Sequence, residues 1–333
     1  MPGFEFSSQD TLLKVYSIDS ATTPPSIEIG FIDSNGIKDY WTYNSQDVSY
    51  AGTGYISDYT QDLYFVRNDI NFQTDLQTLG VSFVFNNRMA ISSTPNIGYG
   101  NGWNVSYNLM RDYDYALGVE YSVDYTGNRI NYYPTTCDSR TPNDSTTSYT
   151  CSLADDGSGS KLVRKSLHYS GLYEVFILTS DDTKYSFGTS KYLISISSLQ
   201  NNLSLTIQRM SLDSEKIDNV RDERGNQIQF SYFENGNIQS ATLITIDDSG
   251  TIHNLEKVYY GYYESTNILH DIYYLTDYDR SGDLTLNLAD LHNVDRIVRY
   301  DNYASKLLAT ASVKYINEDT GVQTIGEEIR YHY

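Results

Sequence analysis

Lys216 to Leu243 reads KIDNVRDERGNQIQFSYFENGNIQSATL, and the fold of the chain follows from this stretch. Ile217 and Val220 lead into Asp222-Glu223-Arg224-Gly225, and the chain returns through Ile228, Phe230 and Tyr232 with an apolar side chain at every second residue. A period of two marks a strand with one face on a core, whereas a helix would space its apolar residues by three and four. Tyr232 and Phe233 then run into Glu234-Asn235-Gly236-Asn237, after which Ile238 opens another alternation. Asn-Gly between alternating segments is a strong hairpin signal and predicts a type I′ turn, whose two central residues both need positive φ. The stretch is expected to form a meander of three short strands.

The same period extends outward in both directions. Residues 4–33 read as two strands around Pro24-Pro25, and Trp41 and Tyr43 are expected on one face of the next strand. Gly52 and Gly54 bracket Thr53 where close backbone approach or positive φ is needed. Strands are predicted over residues 59–66 and 80–85. Gly98, Gly100 and Gly102 predict a strand with one bare face, with Trp103 as packing anchor and Val105, Tyr107 and Leu109 continuing the alternation. Val119 to Tyr125 leads to a turn at Gly127-Asn128, while residues 134–161 are the most polar of the chain and are expected to be a long loop. Beyond it, Leu172–Leu178 and Lys184–Gly188 flank the turn Ser180-Asp181-Asp182-Thr183. Gly250, Gly282 and Gly321 follow Gly225 at intervals of 25, 32 and 39 residues, a degenerate repeat with lengthening spacing. Helix content is predicted below about a tenth, against a globular average near a third.

Composition sets the bounds. The chain has 333 residues, of which 39% are hydrophobic, and its 33 tyrosines and 11 phenylalanines supply the apolar area that aliphatic residues do not. A formal charge of −20 opposes nucleic-acid binding, which rests on clustered Lys and Arg. No apolar run approaches the eighteen residues of a membrane-spanning helix, so membrane insertion is not expected. Two closely joined segments are read: residues 1–160, β-rich with a polar cysteine-containing loop, and residues 161–333, a repeat segment continuous with it. Cys137 and Cys151 lack the nearby His or Cys of a metal site; a disulfide is expected, with two free thiols as the alternative, and pairing implies an oxidising compartment.

Ile217, Val220, Asp222, Gly225, Asn226, Ile228, Phe230, Tyr232, Gly236 and Ile238 stand in a pattern that resembles an RHS/YD repeat, although Phe233 replaces the aspartate of the signature Tyr-Asp pair. The segments Tyr40–Gln46, Ala51–Tyr55 and Asn96–Trp103 are similar, in their order, to the lead-in preceding the repeats of large secreted or wall-associated RHS proteins of Gram-positive bacteria. The hairpin around Asp182 resembles the same family's strand, Asp-Gly-Thr turn and Tyr-x-Phe unit, with Asp182 in place of glycine. The resemblance implies an all-β, tyrosine-rich array of antiparallel strand-turn repeats forming part of a spiralling shell. It further implies a non-catalytic structural role: a polymorphic-toxin shell segment, extracellular or at the cell surface, that encapsulates or presents a toxin-like passenger polypeptide. Its partners would be the downstream repeat, core and toxin segments of the same parent protein. Trp41, Trp103, Phe230 and Tyr232 are expected to pack.

Other chemistry is thinly represented. Asp277, Asp279, Ser281 and Asp283 have the oxygen ligands of half a calcium loop, but Leu288 stands where the twelfth-position carboxylate belongs, and a solvated turn is the plainer reading. No other cofactor is implied. The five histidines form no metalloprotease motif, no nucleophile elbow is present, and spacing alone nominates no glycosidase pair among the 43 carboxylates. Two alternatives to the shell remain: a cell-surface adhesin or glycan-binding module, with Tyr55, Tyr59 and Tyr99 the nearest candidates for a sugar platform, and a β-rich glycoside hydrolase.

Overall fold

The computed structural model describes residues 11–19, 26–33, 36–38, 41–73, 78–91, 97–137, 148–166, 173–200, 203–211, 214–263, 266–276, 284–289, 291, 293–316 and 323–333. Strands β1 (Thr11–Asp19) and β2 (Ser26–Asp33) pair with each other as a hairpin. An inner antiparallel sheet follows, paired in chain order: β3 (Tyr43–Asp47), β4 (Thr53–Ser57), β5 (Leu63–Gln73), β6 (Thr78–Asn86) and β7 (Trp103–Val105). The rest is one long antiparallel sheet. It runs through β8 (Met110–Asp114), β9 (Val119–Val123), β10 (Arg129–Thr135), β11 (Tyr149–Ala154), β12 (Lys161–Ser166), β13 (Tyr173–Leu178), β14 (Thr183–Gly188), β15 (Ser195–Ser198) and β16 (Ser204–Arg209). It continues through β17 (Ile217–Asp222), β18 (Gln227–Tyr232), β19 (Ile238–Ile246), β20 (Ile252–Tyr262), β21 (Leu269–Thr276), β22 (Arg296–Asn302), β23 (Leu308–Ile316) and β24 (Gln323–Arg330). Each of these strands pairs with its chain neighbour, without a break at residue 160. Among the described residues, helix is confined to α1 (Asn87–Ile91) and a 3₁₀ turn at Ser49–Ala51.

The long sheet curls. A single bridge between Met110 on β8 and Tyr192 beyond β14, flanked by Arg111 N donating to Lys191 O and Leu193 N to Leu109 O, brings the start of the sheet back to its middle. One bridge is not a ladder, so the sheet is no closed barrel. The inner sheet fills the curl. Leu63, Phe65, Val81, Phe83 and Phe85 of β5 and β6 belong to the same buried cluster as Ile217, Val220, Ile228, Val258, Ile272 and Val298 of the long sheet. At about 1.5–3 kcal/mol for each fully buried large apolar side chain, this shared cluster is the main term holding the two sheets together.

The predicted meander is β17–β19, with Val220 opposite Ile228 and Phe230 opposite Ala241. Its second turn is not type I′. Gly236 has φ 86°, Asn235 has no positive φ, Gly236 N donates to Phe233 O, and Phe233 N donates to Asn237 O. This is a type I turn closed by a residue in the left-handed region, the three-residue hairpin loop with a bulge. The same pair of hydrogen bonds recurs at Asp124–Asn128, Thr179–Thr183, Asp222–Asn226, Asp247–Thr251 and Tyr303–Leu307. Four of the six left-handed positions are glycines, Gly127, Gly225, Gly236 and Gly250; Asp182 (φ 63°) and Lys306 (φ 70°) hold the other two. A shared loop geometry makes the sheet a repeat, even where spacing drifts.

Several local expectations are corrected. Gly98, Gly100 and Gly102 form no strand: all have positive φ (104°, 101° and 78°), and their loop docks on the meander, with Ile238 N donating to Gly98 O at 2.6 Å. The alternation stops at Val105, because Tyr107 turns with φ 69°. Trp41 precedes its strand, which opens at Tyr43. The polar stretch 134–161 contains β11, which buries Ala154 in the common core on one face and Cys151 against Val163 and Phe176 on the other. Gly54 meets the close approach expected of it, since a β-carbon there would collide with Tyr331 Oη.

Candidate functional site

The chemistry of the described residues lies in the seam between the inner sheet and the long sheet. Strand β5 carries Arg67 and Asp69 two residues apart beside a bulge between Asn68 and Ile70, and both side chains are fully buried. Arg67 Nη2 donates to Asp69 Oδ2 at 2.9 Å, and Nε bonds Oδ1. Tyr260 and Tyr274 of the long sheet each donate a hydroxyl to the same carboxylate at 2.7 Å. The guanidinium carbon lies 4.8 Å from the Trp103 ring centroid, 4.9 Å from Phe83 and 5.5 Å from Tyr300. A planar, weakly hydrated cation suits such an aromatic box. Burial pushes both tyrosine hydroxyls well above their ordinary range, with Asp69 adding to the shift, so they remain donors. The unit crosslinks the sheets and excludes water; nothing in it presents a nucleophile to an incoming group.

A second lock surrounds Tyr99 and Arg209. Tyr99 Oη donates to Glu215 O at 3.1 Å, accepts from Ile217 N at 3.1 Å and lies 3.3 Å from Tyr232 Oη, which donates to Ile217 O at 2.7 Å. Arg209 donates to the carbonyls of Tyr107, Leu193, Ser214 and Glu215, gathering three segments of chain. Burial lowers its pKa, the surrounding tyrosines opposing the shift.

Between β5 and β6 on one side and β9, β10, β13 and β14 on the other lies a cavity of about 590 Å³. Its wall combines Ile130, Ile177 and Ile196 with Asp124, Tyr125 and Tyr185. Asp124 Oδ1 accepts from Thr126 N (2.8 Å), Thr126 Oγ1 (2.6 Å) and Asn128 N (3.0 Å), the Asx pattern of its own turn. Burial raises the Asp124 pKa, while those hydrogen bonds and Lys38 oppose the rise.

The residues singled out from sequence do not converge on a reactive centre. Trp103 and Phe230 are buried in the common core, Trp41 is buried with its ring tilted against Tyr59 at 5.7 Å, and Tyr232 is half-buried in the Tyr99 lock. Cys137 and Cys151 are bonded, with Cα atoms 5.3 Å apart, beside the Thr135–Cys151 pair of β10 and β11. Asp277, Asp279, Ser281 and Asp283 lie outside the described residues, among which no cluster of three metal-ligating side chains occurs. Tyr99 is fully buried and can form no sugar platform, whereas Tyr59 is 59% exposed. Of the histidines, His253 pairs with Asp247 at 3.1 Å and His270 with Asp271 at 3.0 Å. Arg67 and Asp69 were missed by sequence reasoning. The signal was present as two opposite charges inside the apolar run Leu63–Ile70.

No family model matches the chain, and no curated protein does. Among solved structures, a crystal structure of TcdB2-TccC3 is similar at 10% identity and a TM-score of 0.40, over 92% of this chain. This chain spans 17% of the length of that one. The N-terminal domain of effector protein SpvB from Salmonella typhimurium strain LT2 is similar at 10% identity over 79% of this chain and 97% of that domain, with a TM-score of 0.29.

Proposed function

We propose that this chain is a non-catalytic structural segment of an RHS/YD-type shell, acting at the cell surface or outside the cell as part of an assembly that encloses or presents a passenger polypeptide. The observation that supports this most is the strand order. Seventeen strands pair strictly with their chain neighbours and curl round an interior, the arrangement that lets a sheet grow by adding hairpins. The inner sheet occupies the interior of this curl, so on this reading the segment is a plugged portion of the shell and the passenger sits beyond it. Buried tyrosines and the Arg67–Asp69 unit serve cohesion, and no residue is assigned a catalytic role. Electron cryomicroscopy of the protein purified from its source cell tests the proposal. The expected result is further strands added along the free edge of β24 and enclosed polypeptide density; a solvent-facing β24 edge with no enclosed density overturns it.

A glycan-binding reading has one observation in its favour. Trp41, Tyr43 and Tyr55 border a hollow of about 350 Å³ near the exposed Tyr59. A glycan array probed with the chain and with Tyr55→Ala decides it: signal lost in the variant supports a sugar site, and no signal from either removes it.

A further inference from the structure

We infer that the cavity between the inner sheet and strands β9–β14 is a binding site for a small organic ammonium compound with an apolar body, its cationic head held by Asp124 and the rings of Tyr125 and Tyr185. Asp124 is the one charged side chain of the wall, which holds no Lys, Arg or His. All three hydrogen bonds to its carboxyl fall on Oδ1, and Oδ2 accepts none from the described residues. The hydroxyls of Tyr125 and Tyr185 make no hydrogen bond among the described residues either, and none of these three oxygens is sealed from the cavity. Asp124 is half-buried, so this carboxylate oxygen is open to a partner supplied by a ligand. In this place it faces about 590 Å³ of space, within the range of ligand pockets.

The neighbours decide the sign of the ligand. Lys38, whose charge acts on Asp124, is not part of the wall; its ammonium group donates to Asn128 Oδ1 and Arg129 O. A carboxylate beside aromatic faces attracts an ammonium group by charge and by ring quadrupole together, and repels an anion. Ile130, Ile177 and Ile196 offer the apolar surface for a body behind the head, while exposed Asn68, Asn71 and Thr78 form the rim. The turn fixes the carboxyl in advance, so little ordering cost falls on the ligand.

Calorimetric titration of the intact chain with three probes tests this: choline, its uncharged carbon copy 3,3-dimethyl-1-butanol, and benzyltrimethylammonium. Benzyltrimethylammonium is expected to bind one site more tightly than choline, and the neutral alcohol at least tenfold more weakly than choline. Asp124→Asn keeps the oxygen that accepts the turn's three hydrogen bonds, so it preserves the fold while reducing benzyltrimethylammonium affinity about tenfold. Tyr185→Phe should retain binding and Tyr185→Leu should weaken it, because the ring and not the hydroxyl faces the cation. Equal binding of the neutral alcohol, absence of binding by both cations, or affinity unchanged in Asp124→Asn each overturns the assignment.

Discussion

Arg67 and Asp69 show how far one pair of side chains can tie a large sheet to its interior. The carboxylate collects the guanidinium and two hydroxyls from strands 191 and 205 residues away in sequence. Removing one charge leaves the other buried without a counter-ion, which costs about 3–5 kcal/mol. Asp69→Asn is therefore expected to lower stability by about that amount in urea denaturation, while Arg67→Met combined with Asp69→Asn should lose less than Asp69→Asn alone. Unchanged stability in Asp69→Asn would refute the account. Glu256 on β20 behaves differently. Burial and the nearby Asp69 and Asp295 raise its pKa from 4.5 to about 7, against the pull of Arg296. Between those values the folded chain holds a proton that the unfolded chain has released, so the contribution of Glu256 is full below about pH 4.5 and is lost as pH rises through 7. The stability difference between Glu256→Gln and the wild type should shift by about 1–3 kcal/mol in the variant's favour from pH 5 to pH 8. A difference flat across that range would exclude a raised Glu256.

At the scale of strands and turns, the recurring three-residue loop places one residue in the left-handed region. That conformation costs a side-chain-bearing residue roughly 1–2 kcal/mol, offset in part by the greater freedom glycine loses on folding. Lys306 is exposed, so Lys306→Gly isolates the backbone effect and should stabilise by about 0.5–1 kcal/mol. Gly250 has open space around its α-carbon, and Gly250→Ala should destabilise by a similar amount. Equilibrium unfolding of both variants checks the pair; the same sign for both would contradict a common loop geometry. The disulfide acts on the same scale. Closing the segment from Cys137 to Cys151 contributes about 3 kcal/mol in the chain-entropy model, so reduction should lower the urea midpoint accordingly. A midpoint unmoved by reductant would show that the loop's strands are held by pairing alone.

For the whole molecule, the terminal strand matters most. β24 has a paired register with β23 alone among the described residues, and most of its side chains are exposed. Its outer edge offers unpaired N–H and C=O groups to any strand of matching register. The charge of −20 keeps copies apart, and salt screens it, with a Debye length of about 10 Å at 0.1 M. Self-association of the isolated chain should therefore rise with ionic strength in light scattering. Ile325, 59% exposed on that strand, is the position at which a lysine blunts the edge, and Ile325→Lys should reduce the rise. A salt-independent monomer would place the edge out of reach of other copies.

Local sequence determined the strands, their order and the positions of most turns. Period-two alternation is a property of neighbouring residues, and a short loop leaves a strand little choice but to pair with the next. The meander of residues 217–246 was legible for that reason, as was the need for space at Gly54. Turn type was not, because it depends on whether two or three residues remain after the cross-strand register is set, and the partner strand sets the register. Nor could the alternation say that Gly98, Gly100 and Gly102 bend round a docking loop, since glycine fits a bare strand face and a left-handed turn equally well. Only the tertiary structure decided what lies inside the curl. The partners of Asp69, the burial of Tyr99 and the cavity beside Asp124 arise where two sheets meet face to face, and across that gap residues are matched by shape and charge, with no periodicity along the chain to announce them.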